Sequence, residues 1–166
     1  MRRLPAVLAF LYASVLIGCG SSDRREALVR GRDTGFAAVQ GRGAEAMGVD
    51  QYSSSHVFEP LPDGGRIVLK RNPMDSVGVA TIRAHMRLIA DRFAAGDFRL
   101  PGFVHARTVP GTAMMAARRA EIRYTADTVP GGAQLRIRTS DEEARDAVHE
   151  FLAFQRRDHH APAHEH

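Results

Sequence analysis

Two tight glycine turns, Pro62-Asp63-Gly64-Gly65 and Pro130-Gly131-Gly132, constrain this chain more than any other feature. Each lies between two short strand-like runs, with glycine where φ must be positive and proline where φ is preset. The first turn is flanked by residues 56–61 and 66–71, the second by residues 121–129 and 133–139. In the second hairpin Ile122, Tyr124 and Ala126 share a face with Leu135 and Ile137, while Arg123, Arg136 and Arg138 take the other. One face is therefore expected to be buried and the other wet. A helix follows each hairpin. The spacing predicts one over Ser76–Ala94, with Val79, Ile82, Met86, Ile89 and Phe93 on one stripe. Asp75 or Ser76 is its expected cap and Gly96 its stop. The other helix opens on Ser140-Asp141-Glu142-Glu143, a capping-box arrangement with acids in the first turn. Its stripe is Ala144, Val148, Phe151, Leu152 and Gln155. A ββα unit thus occurs twice, in residues 55–95 and 120–159. The expected fold class is α+β: a two-layer sandwich with a four-stranded antiparallel sheet and its helices on one face.

Between the units, residues 85–115 leave the first helix and cross an irregular Pro- and Gly-containing loop. That loop carries His105 and is followed by Met114 and Met115 at a short helix expected over residues 112–119. Asp97 after Gly96 reads as turn chemistry or a catalytic carboxylate, the turn being the commoner use. Eight histidines are many for 166 residues, and their placement is informative. His56 opens the first strand on the face of Phe58, His85 flanks the first helical stripe, and His149 borders the second. None has the local His-x3-His or Cys-x2-Cys spacing of a strong metal motif, so a site must be assembled from distant segments. Neutral imidazole is a common metal ligand, and thioether sulfur shifts preference toward copper. The metal-ligand candidates are His85 and His105, with His56, His149, Met86 and Met114 as further donors and copper or zinc as the ion. The plainer account of each histidine is a hydrogen-bonded ring at the rim of a core, with the methionines as packing.

The single cysteine excludes an internal disulfide. Arg2 and Arg3 precede an apolar run, residues 4–17, too short to span a membrane comfortably. The run ends in Leu16-Ile17-Gly18-Cys19, which resembles the lipobox of bacterial lipoprotein signal peptides. That resemblance implies cleavage before Cys19, acylation of its thiol, and a periplasm-facing lipid anchor on the inner or outer membrane. Losing Arg2 and Arg3 would lower the formal charge from +4 by two, leaving a mildly basic protein. Of 23 basic residues only Lys70 is a lysine, and they form no dense block, so nucleic acid is not an expected partner. The expected organisation is a signal peptide over 1–18, a flexible Arg/Gly/Ala-rich tether over 19–45, the α+β domain over 46–158 and a His-rich disordered tail over 159–166.

Further motifs follow one another along the domain. They are Met47-Gly48, His56 with Phe58, Gly64-Gly65, Phe93-Ala94-Ala95-Gly96-Asp97-Phe98, Pro101, His105, Val109-Pro110-Gly111, and the helix from Ala147 to Gln155. In this the chain resembles a family of small His-containing bacterial envelope proteins of unsettled function, over residues 47–160. Ser55 stands where many members have a first histidine, and Val57 separates His56 from Phe58. Some members carry the label aspartate carbamoyltransferase. That fold needs two larger domains and a Ser-Thr-Arg-Thr phosphate turn, and this chain has neither. Nor does it contain a Gly-rich phosphate loop, a Gly-x-Ser-x-Gly elbow or HExxH. The expected function is ligand binding, with a transition metal as ligand. The rivals are a non-catalytic interaction domain of an envelope complex, using the arginine face or the central loop, and a small hydrolase or transferase with a histidine base.

Overall fold

The computed structural model describes residues 20–162. The signal-like segment, Cys19, His164 and His166 lie outside the described residues. The element order is α1 (Gly20–Met47), β1 (Ser54–Leu61), β2 (Gly64–Arg71), α2 (Ser76–Ala94), α3 (Arg99–His105), α4 (Thr112–Ala117), a 3-10 turn (Arg119–Glu121), β3 (Ile122–Val129), β4 (Gly132–Thr139) and α5 (Glu142–Asp158).

Both hairpins form, and they join into one antiparallel sheet of order β1-β2-β4-β3. The turn of the second is closed by Pro130 and by Gly131 at φ 73°, the proline–glycine pairing of a type II turn. Gly65 serves a different need. A Cβ there would run into Leu152 of α5, so this glycine lets the helix settle onto the sheet. α2 begins where expected, with the Asp75 carboxylate accepting from the Gly78 amide at 2.9 Å. α5 is capped by Asp141 rather than Ser140, accepting from the Ala144 amide at 2.8 Å. Either cap satisfies an amide that would otherwise lack an intrahelical partner.

The helices cross over. α2 lies mainly on β3 and β4, and α5 mainly on β1 and β2, so each unit's helix covers the other unit's hairpin. Neither half can bury its apolar face alone. The shared core holds Ile82, Met86 and Phe93 of α2, Leu135 and Ile137 of β4, and Val148, Phe151 and Leu152 of α5, with Met115 of α4. At about 1.5–3 kcal/mol for each large side chain removed from water, this layer supplies most of the drive to fold. Phe93 is its hub: its ring lies 4.5 Å from Phe98 and 5.8 Å from both Tyr124 and Phe151, the latter two edge to face.

Two expectations are corrected at the domain's margins. The tether expected over 19–45 is helical from Gly20 onward, and its last turns belong to the folded body. Val39, Gln40, Gly43 and Met47 are buried at helical spacing, and Arg42 Nε donates to the Val104 carbonyl of α3 at 2.7 Å. The Arg and Ala content favours helix, and contact with α3 supplies the burial that the local pattern hides. The loop between the units is also more regular than expected. It contains α3, with Pro101 in its first turn where no amide is required, and ends in left-handed Ala106 at φ 51°. The arginine face is less free than its composition implies. Arg136 donates to the Gly65 carbonyl at 2.8 Å and is paired with Asp63 in the β1–β2 turn.

Candidate functional site

Beside the Phe93 cluster, α1, β1, β2, α2, α3 and α5 leave a cavity of about 90 Å3. Its walls are largely hydrocarbon, from Phe58, Ile67, Leu69, Ile89, Phe93 and Phe151. Four histidines also reach it: His56 from β1, His85 from α2, His105 from the last position of α3, and His159 just past α5. Met47, Met86, Gln51 and Gln155 complete the polar or polarizable lining.

The rings stand close together. His56 and His159 have centroids 5.4 Å apart with planes 18° from parallel, and His105 meets His159 edge to face at 5.1 Å. Phe58 packs against both His56 and His159. His105 is fully engaged. Its Nδ1 pairs with the Asp158 carboxylate, which can only accept, so that nitrogen carries a proton. Its Nε2 lies 2.9 Å from Oε1 of Gln155. Asp158 is held in turn by Arg107 at 2.7 Å, and that guanidinium also lies over the Phe154 ring. His56 and His159 are the opposite case. The His56 ring is hydrogen-bonded to the Ser54 backbone, yet its Nε2 is buried without a partner, as is Nδ1 of His159. A buried polar atom left unpaired costs about 1–3 kcal/mol, so the fold retains these two at a penalty.

Burial also fixes their charge state. Desolvation lowers His56 from 6.5 to about 4, with the Ser54 backbone bond opposing it and His85 adding repulsion. Desolvation likewise lowers His85 to about 4, against a raising bond to the Ala46 backbone. His159 falls furthest, to about 3, through desolvation and then the charges of His56 and His105. These three rings are neutral at physiological pH, the form in which imidazole offers a lone pair.

The structure therefore unites His56, His85, His105 and Met86 of the sequence-derived candidates and separates the other two. His149 is remote, with Nε2 donating to the Leu61 carbonyl at 2.9 Å at the far end of β1. Met114 is 40% exposed on α4, and its neighbour Met115 is core. His149 is thus bonded at the far end of β1, and Met114 lies on α4, which contributes no residue to the cavity wall. Asp97 caps the turn before α3, accepting from the Arg99 amide at 3.0 Å and its guanidinium at 2.8 Å, and takes no part.

His159 is the residue that sequence reasoning misplaced, as the start of a disordered tail. The signal was present, because Phe151, Gln155 and His159 follow at i, i+4 and i+8 on one helical face. His160, at φ 51°, turns the chain back, and its ring stacks on Phe36 of α1 at 4.2 Å. Met47, Gln51 and Gln155 were likewise unrecognised as lining. Among the described residues, no group of three or more His, Cys, Asp or Glu stands arranged to hold an ion. No helix among them is long and apolar enough to cross a membrane. No family model, curated protein or solved structure matches the chain. The resemblance drawn from its motifs thus rests on those residues alone.

Proposed function

We propose that this chain is a lipid-anchored envelope protein whose α+β domain binds a small ligand in the histidine cavity, the ligand being a transition-metal ion, copper or zinc. The observation that carries the binding reading is the pair of buried, unpartnered imidazole nitrogens, His56 Nε2 and His159 Nδ1, on two stacked histidines that line the cavity. A lone pair kept neutral and out of water is what a metal takes and what a hydrogen-bonded core histidine lacks. Ring spacing supports it too. With metal–nitrogen bonds of about 2.0–2.1 Å, two imidazoles on one ion have centres roughly 5–6 Å apart, against 5.4 Å for His56 and His159. His105, held by Asp158 and Gln155 with Arg107 behind them, fixes the end of α5 beside His159. The anchor rests on Leu16-Ile17-Gly18-Cys19.

The test is thermal melting with added ion. At a free-ion concentration of 100 times Kd the stabilisation is about 2.7 kcal/mol, or roughly 5–10 °C in Tm for a domain of this size. The shift should survive His160→Ala, His164→Ala and His166→Ala together and disappear in His159→Ala. No shift with either metal sinks the reading. Incorporation of labelled palmitate, lost in Cys19→Ala, tests the anchor separately. A second reading follows from the hydrocarbon walls: a small apolar molecule would fill the same cavity, and it predicts stabilisation by such compounds that persists in His159→Ala.

A further inference from the structure

Resting on the metal reading above, we propose that the cavity is a copper(I) site, with His56 Nε2 and His159 Nδ1 as nitrogen donors and the Met86 and Met47 thioethers as the adjoining soft donors. The argument is one of charge and hardness. No residue lining the cavity is a carboxylate or a thiolate; every donor is a neutral imidazole, a thioether or an amide. The nearest carboxylate, Asp158, lies behind His105 and is held by that ring and by Arg107. No lining group cancels an ion's charge, Asp158 acting on His159 only from behind the wall, and most of the surrounding surface is hydrocarbon. The cost of moving an ion from water into such a medium grows with the square of its charge, so a dication pays about four times what a monocation does. Copper(I) is the abundant soft monocation that binds imidazole and thioether.

Coordination number points the same way. Zinc in proteins takes four ligands in tetrahedral array, and copper(II) prefers tetragonal nitrogen and oxygen donors. Among the described residues that line the cavity, two histidines carry a buried nitrogen without a partner, His56 and His159, and His105 is occupied on both sides. Copper(I) is satisfied by two or three donors, and Met86, 2% exposed on the cavity wall, is the soft third that zinc would not choose. His105, Asp158 and Gln155 then act as positioning residues. They hold the end of α5, and so the backbone that carries His159.

Titration of the full chain decides it, in detergent, with His160, His164 and His166 replaced by alanine so that the end of the chain contributes no ligands. Copper(I) is supplied under reducing conditions against a chromogenic copper(I) chelator, copper(II) and zinc(II) against their own chelators. The expected result is one copper(I) per chain, bound at least ~100-fold more tightly than zinc(II), with X-ray absorption showing two nitrogen neighbours and a sulfur. His159→Leu and His56→Leu should each weaken copper(I) at least ~10-fold, and Met86→Leu by less. If either histidine variant fails to fold by circular dichroism, His159→Gln, which keeps a polar side chain, replaces it with the same expected loss. Tighter zinc(II) than copper(I) binding overturns the copper(I) assignment and leaves the metal reading standing. Binding of neither ion overturns both. Copper(I) binding undiminished in the His56→Leu, His159→Leu double variant overturns the placement of the site.

Discussion

Two ring clusters lie side by side under the same helices, one of benzene rings and one of imidazoles. Phe93, Phe98, Tyr124 and Phe151 meet at centroid distances of 4.5 to 6.4 Å; His56, His105 and His159 meet at 5.1 to 5.4 Å. Packing geometry hardly separates them. What separates them is how much polarity is left unpaired: one hydroxyl, on Tyr124, in the first cluster and two ring nitrogens in the second. A fold that needed only aromatic volume at the β1 end would be served better by phenylalanine. The imidazoles are kept against stability, as the proposed binding site requires.

The largest expected effect is acid sensitivity confined to the imidazole cluster. Unfolded histidines take up protons near 6.5, while His56 and His85 do so only near 4 and His159 near 3 when folded. As pH falls below about 6.5 the unfolded chain gains protons that the folded chain refuses, so stability declines and levels off only below about 3. For His56 alone the loss is on the order of 3 kcal/mol, and the three together should bring the metal-free protein to unfolding near pH 4. Urea midpoints that stay flat from pH 7 to 4 would break the comparison. Next in size is Phe93→Ala, expected to cost about 3–5 kcal/mol at pH 7 through the cavity it opens. It should lower the whole pH curve without changing its shape.

The converse substitution sharpens the contrast. His56→Leu with His159→Leu should leave pH 7 stability within about 1 kcal/mol of the parent, or raise it, since polar atoms without partners are exchanged for hydrocarbon. The same double variant should flatten the acid limb. A large loss at pH 7 would mean the imidazoles are structural after all. Smallest are the helix caps. Asp75→Ala and Asp141→Ala should each cost about 1 kcal/mol, and equally, because each unit's helix covers the other's hairpin. Chemical denaturation of the pair measures it, and a cap that costs nothing would show its helix to be dispensable.

Much of the fold was legible because its signals are local. Gly64, Gly131 and the alternation Ile122, Tyr124, Ala126 announce hairpins, and the stripe from Val79 to Phe93 announces α2 to the residue. Half of the site was legible too, as His56, His85, His105 and Met86. His149 and Met114 were chosen on residue type, and packing places one at the far end of β1 and the other on α4, outside the cavity wall. Lone histidines carry no phase information of their own. α1 was missed because its buried stripe, Val39, Gln40, Gly43 and Met47, contains a glutamine and a glycine and so carries little apolar signal.

By itself, then, the sequence determined two ββα units, their turns and the cap of α2, and a chain rich in neutral donors. Only the tertiary structure decided that the helices exchange hairpins, that α1 packs on α3 and meets His160 through Phe36, and that His56 and His159 meet across 103 positions of sequence with their nitrogens buried. The reason is physical. Backbone propensity and hydrophobic period act over one turn or one pleat, whereas an orphaned lone pair is a property of everything packed around it.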